Sequence, residues 1–237
     1  MSAVFVRATA LACALGPDLE TALGRLRGEP LAPERNTRAG GAWPYFAIPA
    51  EGGDWAERAS AIARTVADAL RREARLSRKA WAALPCLVGS SSHSVGAWDE
   101  NGEAALQPPL EFCRMLARDF GVRGPMMLAN TACTSGLSAL DLALGLIATG
   151  RCRDALVIGV ELANRLTVAG FAGLELLSAT RARPCDRERD GLVLGEALGA
   201  VLVSAGSGRW RIASFASGID AASLTGPAPS GEVILDT

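Results

Sequence analysis

Short apolar runs alternating with helix-patterned stretches constrain this chain more than any other feature. Ala155-Leu156-Val157-Ile158-Gly159-Val160 is continuously apolar, as a strand is when helices cover both faces of its sheet. Cys86 to Gly89, Met126 to Ala129 and Leu198 to Val203 read as further strands, and Val4 to Leu11 as a longer buried one. Between them lie helical patterns. Pro17-Asp18-Leu19-Glu20 opens a helix that ends near Gly28, with proline and acids where a first turn favours them. Trp55 to about Leu76 places Ile62, Val66, Ala69 and Leu70 on one face and arginines on the other. Glu111 to Phe120 is a further helix, and Leu137 to Thr149 another, closed by Gly150. The alternation predicts an α/β fold with an at least partly parallel sheet. Glu29 to Asp54 has no period and reads as loop or lid, Ser90 to His93 as a turn, and Val233 to Thr237 as the beginning of a helix.

At 237 residues, one domain with a substantial core is expected, or two small ones. The chain is 49% apolar and 21% charged with a net charge of -1, a balance with no excess to attract nucleic acid or an anionic membrane. A basic patch can hide within a neutral total, so an acidic carrier protein stays open as a partner. Met1 to Gly16 is rich in alanine but lacks a charged start, is interrupted by Arg7 and runs into Pro17-Asp18. It is therefore a strand and not a signal peptide. No run of about twenty apolar residues predicts a membrane span. A cytoplasmic location follows as the expectation, with six cysteines that form no C-x-x-C pair and no disulfides. One histidine in the whole chain sets metal aside.

The chemistry concentrates in Met127-Leu128-Ala129-Asn130-Thr131-Ala132-Cys133-Thr134-Ser135-Gly136. A strand ends, a helix begins, and Cys133 stands at the junction. The positive end of a helix stabilises a thiolate, which is the nucleophilic form of cysteine. Unpaired N–H groups at the same terminus can hold a developing oxyanion. Small neighbours let a substrate reach the sulfur. On this local pattern alone, a buried core cysteine at a βα turn competes with a nucleophile.

The flanking motifs change that balance. Asn130-Thr131-Ala132-Cys133-Thr134-Ser135-Gly136 resembles the nucleophile segment of β-ketoacyl synthases, usually Thr-Ala-Cys-Ser-Ser-Gly. Gly170-Phe171 to Leu177-Ser178 is similar to that family's Gly-Phe…Leu-Ser segment. Arg183-Pro184-Cys185-Asp186 through Arg189-Asp190-Gly191 to Gly195-Glu196 resembles its Arg-Pro-Phe-Asp…Arg-Asp-Gly-Phe…Gly-Glu stretch, and Ala222 to Pro229 its Thr-Ala-Pro segment. The motifs stand in family order. Thr134, Cys185, Leu192 and Ala197-Leu198 depart from the usual residues and suggest a divergent subfamily, from secondary metabolism or an aryl-polyene-type pathway.

The resemblance covers nearly the whole chain but only the first half of such an enzyme. It implies a thiolase-like α/β fold, the N-terminal half of a layered αβαβα architecture, with residues 1–237 as the β-ketoacyl synthase N-terminal domain and the histidine-bearing C-terminal half absent. It implies Cys133 as the catalytic residue, accepting an acyl group from acyl carrier protein before decarboxylative condensation with malonyl carrier protein, in fatty acid or polyketide biosynthesis, with no cofactor. It also implies a homodimer, or a heterodimer with a related synthase, paired through the strand near Met126 to Ala129. His93 matches a glycine-rich loop and is expected at the surface or in a turn. Asp190 is expected in a solvated loop that orders the nucleophile loop indirectly, and Glu196 in a structural ion pair or backbone hydrogen bond. Rival readings are a non-catalytic chain-length-factor-like subunit, which typically lacks the cysteine, and an inactive fragment. A cysteine hydrolase is weaker, because no histidine is placed to activate the thiol.

Overall fold

The computed structural model describes residues 3–50, 53–105, 107–223 and 226–237. Leu224 and Thr225, within the segment resembling the Thr-Ala-Pro motif, lie outside the described residues. Six strands form the main sheet among these residues: β1 (Val4–Cys13), β4 (Cys86–Gly89), β5 (Met126–Ala129), β6 (Asp154–Glu161), β8 (Ala197–Ser204) and β9 (Trp210–Ile212), in the order β5-β4-β6-β8-β1-β9. The half that carries the Cys133 segment, β5-β4-β6, is parallel, whereas β8, β1 and β9 are antiparallel. A smaller sheet, β2 (Glu34–Arg35), β3 (Pro44–Phe46) and β7 (Leu194–Gly195), lies in sequence partly within the stretch read as loop.

Alternation along the strands sends successive side chains to opposite faces. Cys86, Val88, Leu156 and Ile158 pack with α2 (Trp55–Ala74) and α5 (Pro109–Phe120), through Ile62, Val66, Leu70, Phe112, Leu116 and Phe120. Leu87, Val157 and Val203 face the other way, onto Ala139, Ala143 and Ile147 of α6 (Ser135–Ala148). The sheet is therefore covered on both faces, which is why its central strands are apolar throughout. A third cluster joins Tyr45, Val168 and Leu177 beneath β3 and α7 (Arg165–Gly173).

Helix α6 is apolar nearly all round but buries one stripe only, Ser135, Ala139, Ala143 and Ile147. Leu137 and Leu142 on its other side are exposed. Strand β5 forms one edge of the main sheet, with Met127 exposed. Arg58 departs from the expected split of α2, because it lies on the buried stripe with Trp55, Ala59 and Ile62.

Candidate active site

Five residues join β5 to α6. Within them Ala132 adopts a left-handed φ of 54°, a conformation that strains a residue with a Cβ. A web of hydroxyls holds the turn. Thr131 N donates to Ser135 Oγ (3.0 Å), and Ser135 Oγ donates to Ala132 O (2.6 Å). Thr134 Oγ1 donates to Thr131 O (2.8 Å), and the Thr131 and Ser138 hydroxyls are 2.8 Å apart. Thr134 is the residue before α6, yet its side chain makes no capping bond to the helix. The positive end of α6 thus stays open beside Cys133, which is exposed.

Cys133 borders a cleft of about 470 Å³. Its walls come from the ends of β4, β6, β7 and β8, from α7 and from β3, with Val160, Leu162, Val168, Phe171 and Leu194 supplying apolar surface. The parallel strands β4 and β6 end at the cleft, and small residues let α6 start directly over them. A Cβ on Gly89 would stand 2.3 Å from Ser135 O and 2.6 Å from Gly136 Cα, so only glycine permits this approach. Gly136 and Gly159 also face each other, but less tightly: a Cβ on either would stand 3.8 or 3.7 Å from the other's Cα, an ordinary contact.

Two carboxylates border the same cleft. Glu161 accepts from Ser91 N, from Ser91 Oγ (2.8 Å) and from Ser92 Oγ (2.5 Å). Glu196 has no exposed side-chain surface, and Arg58 meets it with both terminal nitrogens, Nη1 to Oε2 at 2.9 Å and Nη2 to Oε1 at 2.5 Å. Ile48 N and Ala163 N complete its shell at 2.9 and 3.0 Å. Glu196 is thus in a structural ion pair with backbone hydrogen bonds, as the apolar run around it implied.

Asp190 lies in the charged loop and does not line the cleft. The Ser178 hydroxyl and, less strongly, Arg183 hold its carboxyl below the usual range; the Arg183–Asp190 distance is 3.4 Å. Its contacts close the base of its own loop, where Ser178 N also donates to Leu192 O at 2.8 Å. His93 is in a turn with φ 48° and is partly buried. Its ring meets Phe112 edge-on at 6.3 Å, its Nε2 is buried without a partner among the described residues, and burial pushes its pKa down against the pull of Glu161. Burial also pushes the Cys86 and Cys113 thiols up to about 12 and about 11, so both stay protonated inside the core.

Sequence reasoning did not reach Tyr45, Glu161, Ser91, Ser92 or Arg58. Arg58 carried a signal, since its spacing from Trp55 and Ile62 puts it on the apolar stripe of α2. Tyr45 carried none. It reaches the cleft through a three-residue strand that pairs in parallel with β7, Tyr45 opposite Leu194.

The sequence around this turn and the fold that holds it are similar to those of known proteins. The family model for the β-ketoacyl synthase N-terminal domain matches residues 112–207, which include the Cys133 turn. Over that stretch the chain is similar to the β-ketoacyl synthase N-terminal domain. The ketoacyl synthase alpha subunit of the tetracenomycin polyketide synthase from Streptomyces glaucescens is 36% identical over 139 residues, 52% of this chain and 32% of the relative. A β-ketoacyl synthase from Burkholderia phymatum superposes with a TM-score of 0.68 at 21% identity, covering 86% of this chain and 59% of that one. A ketosynthase in complex with its chain length factor from Xenorhabdus doucetiae superposes with a TM-score of 0.62 at 22% identity, covering 87% of this chain and 59% of that chain. The fold is therefore thiolase-like, and the chain spans about a third of the length of the curated tetracenomycin relative. Among the described residues, no helix is long and apolar enough to cross a membrane.

Proposed function

We propose that this chain is a β-ketoacyl synthase-type acyltransferase in which Cys133 carries the acyl group. The observation that supports this best is the position of Cys133, exposed at the open N-terminus of α6 and bordering an apolar cleft. In the proposed step the Cys133 sulfur attacks the thioester carbonyl of an acyl group borne by a carrier protein. The negative charge that develops on the carbonyl oxygen is held by N–H groups at the start of α6. The carbon–sulfur bond to the carrier then breaks, the carrier thiolate takes up the proton lost by Cys133, and the acyl chain remains on Cys133. The apolar walls formed by Val168, Phe171 and Leu194 would cover that chain.

The proposal for this chain is confined to acyl transfer. Decarboxylative condensation creates an enolate that needs donors aimed at its oxygen. The single histidine, His93, does not line the cleft. Condensation with malonyl carrier protein is therefore assigned to an assembled synthase, whether a homodimer or a pairing with a related subunit. Similarity to a ketosynthase in complex with its chain length factor supports a second reading, a subunit that shapes the acyl tunnel of an intact synthase without catalysis.

Intact-mass measurement after incubation with acyl carrier protein thioesters separates the two. A single acyl adduct is expected on the wild type and none on Cys133→Ala. Folded wild-type protein that gains no adduct would refute acyl transfer by this chain and favour the subunit reading.

A further inference from the structure

Tyr45 is held in the cleft wall by its pairing with Leu194 and by packing in the cluster that includes Val168 and Leu177. Only 5% of the residue is exposed. A buried tyrosine normally gives its hydroxyl a partner, yet this hydroxyl bonds to no other described group. The oxygen is not sealed either, for it is absent from the buried polar atoms left without a partner. Tyr45 borders the cleft that holds Cys133, and its phenol feels the charges of Glu196 and Glu161, which border the same cleft.

The neighbouring acceptors are already engaged. Both Glu196 oxygens accept two hydrogen bonds each, from Ile48 N and Arg58 Nη2 at Oε1 and from Arg58 Nη1 and Ala163 N at Oε2. Glu161 Oε1 accepts twice from Ser91, and its Oε2 once from Ser92. Burial first, and then the charges of Glu196 and Glu161 working against Arg58, push the phenol pKa well up. The group is thus a protonated donor with an unused hydrogen, on a residue of the cleft wall.

Resting on the acyl-transfer reading, the geometry points to Tyr45 as a specificity residue that donates a hydrogen bond to a neutral oxygen, keto or hydroxyl, carried by the acyl chain on Cys133. A plain alkyl chain would cover the hydroxyl and offer it no acceptor, which penalises binding. A carboxylate would meet Glu161 across the same cleft and be repelled.

The test is the rate of Cys133 acylation, followed by intact mass, from a series of equal-length thioesters: octanoyl and its 3-, 5- and 7-hydroxy forms. Wild type is expected to prefer one hydroxyl position over octanoyl by about fivefold, the worth of one ordinary hydrogen bond. Tyr45→Phe, which keeps the ring, is expected to flatten the series to within about twofold of octanoyl. Circular dichroism verifies that the variant is folded; if it is not, the wild-type series decides alone. A wild-type series with no peak, or a peak that survives Tyr45→Phe, overturns the assignment while leaving acyl transfer standing. Absence of any adduct with all four donors overturns both readings together.

Discussion

At the scale of single residues, Glu196 shows how a charge inside an apolar run becomes structural. It joins the start of β8 to α2 through Arg58, to the segment after β3 through Ile48 N, and to the end of β6 through Ala163 N. A buried ion pair gains little over an apolar pair of the same shape, but breaking one side leaves an unpaired buried charge. Glu196→Ala is therefore expected to cost about 3–5 kcal/mol of stability, measured by urea unfolding. In the double variant with Arg58→Ala, the loss should be well short of the two single losses added together, because the partners act as one unit. A Glu196→Ala loss under about 1 kcal/mol would show that Arg58 finds another partner or water. Glu196 was recognisable from its neighbours Leu192 to Leu198, and Arg58 only from its spacing on the apolar stripe of α2, which sets it apart from the other arginines of that helix. A partner across 138 residues leaves no mark in local sequence.

Among elements, the approach of α6 to the ends of β4 and β6 sets the position of the Cys133 turn. Gly89→Ala would press a methyl group against backbone atoms of Ser135 and Gly136, and backbone cannot swing aside as a flexible side chain does. Overpacking of this kind costs about 1–3 kcal/mol. Acylation of Cys133 in the folded variant is expected to fall at least about tenfold, since an ångström of misplacement at a reacting atom is costly. Gly145→Ala, in open space on α6, serves as the control and should acylate at the wild-type rate. Loss of acylation in both, or in neither, would show that the close approach does not govern the site. These elements were legible because their patterns are long or continuous, such as the apolar run of β6 and the stripe of α2. The helices Val95–Asn101 and Arg165–Gly173, and the strands of two or three residues, were not. A two-residue strand has no period to read. Its place is set by tertiary pairing, which is also why Tyr45 in the cleft wall was invisible beforehand.

For the molecule as a whole, the main sheet is covered on both faces, yet α6 is left with apolar side chains in water. Leu137 is 59% exposed and Leu142 41%, and the C-terminal helix Glu232–Asp236 adds Ile234 and Leu235 at 68% and 81%. Single exposed leucines are ordinary, but a helix that is apolar nearly all round and buried along one stripe calls for a partner surface. The sequence announced this through the run from Leu137 to Thr149, though not which side would be left open. In isolation the chain is accordingly expected to self-associate with rising concentration, as followed by sedimentation velocity. Leu137→Glu combined with Leu142→Glu should shift it toward monomer while leaving the circular dichroism spectrum intact, because neither side chain belongs to the buried stripe. The β5 edge gives the alternative route, since a strand with unpaired backbone groups can pair with a second copy. If the double variant associates as strongly as wild type, association runs through that edge and not through α6. If it becomes monomeric, the face of α6 is the adhesive surface, and the helix that follows the Cys133 turn is also the one through which the chain meets its neighbour.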